Sequence, residues 1–192
     1  MFPTWVRDTA RQLPDGGDLW VVWDEAGGVR QLQIHRAGRH SWKLTDQWLG
    51  LRNGAWVQEP GTPFDGALDD PLGSPAGWDD VLAHGGVWSV RGDPRRDWLA
   101  PSAVAELLQE LLPHRCVVFH GGVPGHRQRL QVRRTDLGFE GLRVMDGSDG
   151  PWRGDYHQED ALGEYTLAAL VEAVAALPDL CEVSFGSSGR AF

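Results

Sequence analysis

Hydrophobic residues recur along this chain in two rhythms, one helical and one extended, and the two follow each other in the same order twice. In the first half, Val6, Thr9, Ala10 and Leu13 share a helical face behind Thr4 as N-cap, and Pro14-Asp15-Gly16-Gly17 ends the helix. Leu19 to Trp23 is rich in β-formers, and Asp24 to Gly28 supplies a turn. Val29 to Arg36 then alternates: Val29, Gln31, Gln33 and His35 point one way, Arg30, Leu32, Ile34 and Arg36 the other. Ser41 to Leu44 and Ala55 to Gln58 predict shorter strands around Asn53-Gly54. Four prolines and four glycines between Glu59 and Gly77 predict a loop. A short helix at Trp78–His84, a strand at Val87–Arg91 and a linker at Gly92–Pro101 follow.

The second half repeats the order. Ser102 is placed to cap a helix with Val104, Leu107, Leu108 and Leu111 on one stripe, ended by Leu112-Pro113. Strands are expected at Cys116–Phe119, Arg129–Arg133 and Gly141–Met145. Thr166 caps a helix carrying Leu167, Leu170, Val171, Val174 and Leu177, and Cys181–Phe185 is a last strand. Val21-Val22 echoes Val117-Val118 at an offset of 96, and Leu32-Gln33-Ile34 echoes Leu130-Gln131-Val132 at 98. Drifting offsets are what loop insertions produce between two copies of one unit.

The expected fold is therefore α+β. It consists of two pseudo-repeated helix–strand–strand–strand–helix–strand units, each an antiparallel sheet with helices packed on one face. Residues 1–97 and 98–192 are the expected units, an internal duplication forming one compact pseudo-dimer. The two sheets would meet face to face or edge to edge.

Composition narrows the function. The formal charge is −9. Both halves are acidic, which disfavours a nucleic-acid binder needing a basic face and suits a basic partner. Lys43 is the only lysine, which removes a P-loop and most Schiff-base chemistry. No run of 18 apolar residues marks a membrane span. Met1 to Arg11 lacks the layout of a secretory leader, so a cytoplasmic protein is expected. Cys116 and Cys181 sit in apolar stretches, as small core residues do.

Nine of the ten tryptophans lie in the first 98 residues. A unit of that size does not readily bury nine indoles with every N–H satisfied, so some are expected at an interface. Trp20, Trp23, Trp42 and Trp48 are the aromatic candidates for partner binding, and Arg127, Arg129 and Arg133, sharing one face of a strand, are the basic ones. His35, His120 and His126 are the only histidines on the echoed hairpins; with Glu25 they form the one candidate metal or hydrolytic group. No HExxH or CxxC pattern supports it, and Gly-Ser-Ser-Gly at 186–189 is not a nucleophile elbow. The expectation is a non-enzymatic protein-binding module without cofactor, as monomer or homodimer. A peptide-binding chaperone and an immunity or antitoxin-type inhibitor of a basic partner are its two versions. A small His-dependent hydrolase is the alternative, and a nucleic-acid binder through Arg127–Arg134 the third reading.

Overall fold

The computed structural model describes residues 3–25, 28–38, 41–52, 55–59, 63–65, 87–123, 126–146 and 156–187. Among them are three helices, α1 (Thr4–Gln12), α2 (Pro101–Glu110) and α3 (Leu167–Ala175). The strands are β1 (Asp18–Glu25), β2 (Gly28–Gly38), β3 (Ser41–Arg52), β4 (Ala55–Glu59), β5 (Pro63–Asp65) and β6 (Trp88–Gly92) in the first half. In the second they are β7 (Arg115–Val123), β8 (His126–Arg134), β9 (Phe139–Asp146), β10 (Tyr156–Tyr165) and β11 (Glu182–Ser187). The helix expected at 78–84 lies outside the described residues.

All eleven strands belong to a single sheet, ordered β10-β9-β8-β7-β11-β6-β1-β2-β3-β4, with β5 beside β3. Every pairing is antiparallel. This corrects the expected α+β pair of helix-packed sheets: one mostly antiparallel sheet, carrying three described helices, takes their place. The reason is at β6 and β11. Each closes its own group of strands and would otherwise present an unpaired row of N–H and C=O groups. They pair with each other from Arg91–Glu182 to Trp88–Phe185, with Val90 opposite Val183 at the centre.

About that central pair the register repeats. Val21 lies opposite Val90 and Leu32, as Phe119 lies opposite Val183 and Leu130. The buried side of α1 is Trp5, Val6, Thr9 and Ala10, and that of α2 is Ala103, Val104, Leu107 and Leu108. These positions correspond at a constant spacing of 98 from the helices to the ends of the hairpins. Arg36 donates to the carbonyls of Arg11 (2.6 Å) and Leu13 at the end of α1. Arg134 donates likewise to Gln109 and Leu111 at the end of α2, both at 2.7 Å. Gly16 (φ +77°) and His114 (φ +62°) occupy matching left-handed positions just beyond, each sending its N–H to the carbonyl of the same arginine.

The core lies between the helices and one face of the sheet. Val21, Trp23, Leu32 and Ile34 from one side and Val117, Phe119, Leu130 and Val132 from the other meet α1, α2 and α3 there. The Gly92–Pro101 stretch is no linker: Trp98 and Leu99 are buried, and the Trp98 indole donates to the carbonyl of Leu180 at 2.6 Å. Pro101 takes the first turn of α2, where its missing N–H costs nothing. Thr166 caps α3, accepting from the Ala169 N–H at 3.2 Å.

Candidate functional site

Strand alternation sends every second side chain to the face opposite the helices. No described helix packs on that face. Across six neighbouring strands the register aligns one row: Gln33 (β2), Trp20 (β1), Arg91 (β6), Glu182 (β11), His120 (β7) and Arg129 (β8). Apart from Trp20 it is a row of hydrogen-bonding and ionisable groups, and it runs through the middle of the sheet.

Its partners are local and specific. Gln33 donates to Asp18 at 2.8 Å, and the His35 ring nitrogen Nδ1 is 2.9 Å from the same carboxylate oxygen. Arg91 pairs with Glu182 at 3.3 Å across the β6–β11 junction. His120 Nε2 lies 2.8 Å from Ser184 Oγ. Burial pushes the His120 pKa below the ordinary histidine value. The Glu182 carboxylate opposes that shift, and the guanidiniums of Arg129, Arg91 and Arg127 add to it. Neutral imidazole is thus the favoured form at neutral pH, able to accept the Ser184 hydroxyl proton or donate to its oxygen. Further out on the same face, Arg133 is paired with Glu140, and Gln131 Nε2 reaches Cys116 Sγ at 3.6 Å.

The four tryptophans singled out from sequence do not form one surface. Trp20 is half-buried on the helix-free face. Trp23 points to the helix side and is 1% exposed. Trp42 packs against that core, its indole donating to the Ala10 carbonyl at 3.3 Å. Trp48, also on the helix side by register, is half-buried beside Gly28. Arg127, Arg129 and Arg133 do share the helix-free face by alternation, spread along β8.

Among the histidines, His35 on β2 and His120 on β7 are separated by β1, β6 and β11, four strand steps or about 19 Å. They share no metal. The side chains of Glu25 and His126 lie outside the described residues. No group of three or more metal-binding side chains occurs among the described residues. Both cysteines are free, and no described helix is long and apolar enough to cross a membrane.

What pattern reading missed is the pairing of Ser184 with His120, 64 residues apart and joined only by the β7–β11 register. It also missed an aromatic group on the helix side. There Trp88 and Phe185 stack at 4.1 Å and 10°, and Trp5 stands over both at 6.0 and 5.7 Å. Nothing local marks Trp5 or Trp88 apart from the other indoles. Compared with known protein families, curated proteins and solved structures, the chain matches none.

Proposed function

We propose that this protein is a non-enzymatic protein-binding module that engages a folded partner through the helix-free face of its sheet. The observation that carries the reading is the row from Gln33 to Arg129, a broad and regular array of side chains already held by neighbours. Such pre-positioned groups lose little conformational freedom on binding. Trp20 in that row is the aromatic anchor, flanked by Arg91, and tryptophan and arginine are the residue types that dominate binding hot spots. The net charge of −9 steers a basic partner toward the chain. Of the two versions, an inhibitor of a basic protein fits a wide sheet face better than a chaperone for an extended peptide, which needs a groove or an open strand edge.

The test is capture of a partner at low ionic strength, followed by titration of the purified pair. Trp20→Ala and Glu182→Arg are each expected to weaken binding by about thirtyfold or more, the hot-spot range. Undiminished binding by both variants would remove this face from the reading.

The Ser184–His120 hydrogen bond favours one second reading, a hydrolase using Ser184 as nucleophile and His120 as base. The backbone N–H groups around Ser184 face the sheet ladder, so the oxyanion would rest on Arg91 or Arg129 rather than on the main chain. A fluorophosphonate probe decides it. Labelling at Ser184 that disappears in His120→Gln carries the reading; an unlabelled native protein ends it.

A further inference from the structure

One carboxylate on the helix-free face is held in place through a single oxygen. Asp18 opens β1, and alternation puts its side chain on the same face as Trp20. Gln33 Nε2 donates to Asp18 Oδ1 at 2.8 Å, and His35 Nδ1 lies 2.9 Å from the same atom. Both neighbours come from β2, His35 opposite Asp18 and Gln33 opposite Trp20. The sheet itself therefore orients the Asp18 carboxylate, and its second oxygen, Oδ2, takes no part in either bond.

Trp20 stands two residues along the strand, about 7 Å away on the same face, and is half-buried. The indole and the carboxylate are thus side by side, within reach of one long side chain laid on the sheet. Arg91 on β6 is directly opposite Trp20. Both oxygens of Glu182 hold it, at 3.3 and 3.4 Å, and β11 lies on the side of β6 away from β1. Lys43 on β3 is opposite His35, two strand steps or about 10 Å from Asp18. A planar guanidinium fits the Asp18–Trp20 pair. Its face stacks on an indole, the best of the aromatic rings for a cation, and its edge donates to a carboxylate.

We propose that Asp18 and Trp20 form the seat for one arginine side chain of the partner. The inference rests on the reading that a basic protein docks on the helix-free face, and it names the group presented at Trp20. The charge of −9 draws such a partner in; Asp18 sets where its arginine comes to rest.

The probe is N-acetyl-argininamide, titrated into the whole chain while the Trp20 indole N–H and the Gln33 side-chain amide are followed by NMR. Saturable shifts are expected. N-acetyl-citrullinamide, of the same shape without the charge, is expected to bind about tenfold or more weaker. Asp18→Asn is expected to weaken argininamide binding by a similar factor, and Trp20→Leu, which keeps apolar bulk and removes the ring, serves if circular dichroism shows the first variant misfolded. Non-saturable shifts, equal binding of the citrulline analogue, or binding that survives both substitutions overturn the proposal. The two failures separate. Partner capture that needs Trp20 and Glu182 but is indifferent to Asp18→Asn overturns the seat and leaves the face standing. Argininamide binding that Asp18→Asn removes supports the seat even where Glu182→Arg leaves partner capture intact.

Discussion

At Gly92, a single methyl group has nowhere to go. A Cβ there would stand inside the Trp98 ring, so Gly92→Ala must expel an indole that is hydrogen-bonded to Leu180. A loss of about 1–3 kcal/mol is expected in urea unfolding, the usual cost of overpacking. His120 makes stability depend on pH on the acid side of neutrality. Its folded pKa is lowered, chiefly by burial, so the unfolded chain takes up the proton more readily than the folded one. Stability is therefore full above the ordinary histidine pKa of about 6.5 and falls as pH drops through it. Melting temperatures between about pH 8 and pH 5 should show a steeper fall for the native chain than for His120→Gln. At this scale the sequence was partly silent. Ten tryptophans were countable, but whether Trp20 or Trp23 faced the helices depended on strand parity relative to a layer that no local pattern names.

Periodicity was most legible at the level of elements. The alternation of β2, with Leu32 and Ile34 on one side and Gln31 and Gln33 on the other, is the alternation seen in the sheet. So is the apolar stripe of α2. The strand β10 was not legible, because Tyr-His-Gln-Glu-Asp-Ala-Leu-Gly-Glu-Tyr has neither a β-branched run nor a clean alternation. Among the described strands it pairs with β9 alone, with two shifts of register along the way. The helix ends were also misread in part: sequence suggested Ser102 as a cap, and the structure uses Pro101 at the first turn. More telling are Arg36 and Arg134, which stitch each hairpin to the end of its helix by charge-assisted bonds to terminal carbonyls. Arg36→Ala and Arg134→Ala are each expected to cost about 1–3 kcal/mol. The arginines are far apart, so their costs should add in the double variant within about 0.5 kcal/mol. Chemical denaturation of the three variants checks both statements.

The whole molecule is organised by one seam, β6 against β11, and by helices packed across it, α1 on α2 and α2 on α3. We propose that residues 1–97 and 98–192 are copies of one unit, and the seam then behaves as a subunit interface covalently closed. Expressed together as separate chains, the two segments are expected to co-purify one to one. Val183→Asp in the second, placing a charge opposite Val90 in the core, should abolish that association. Size-exclusion chromatography reads the outcome, and segments that never associate would show that the seam needs the covalent link. The seam also sets an order of events during synthesis. β6 is complete at Gly92, but its outer edge stays bare until β11 ends at Ser187, after the 95 residues from Asp93 have been added. At about 5–20 residues per second that is roughly 5–20 s with an apolar strand edge exposed on the ribosome. A nascent chain stopped before β11 is therefore expected to bind holding factors that the full-length chain does not, and slower synonymous codons between positions 93 and 187 are expected to lengthen that window, which ribosome-bound pull-downs of the two chains check.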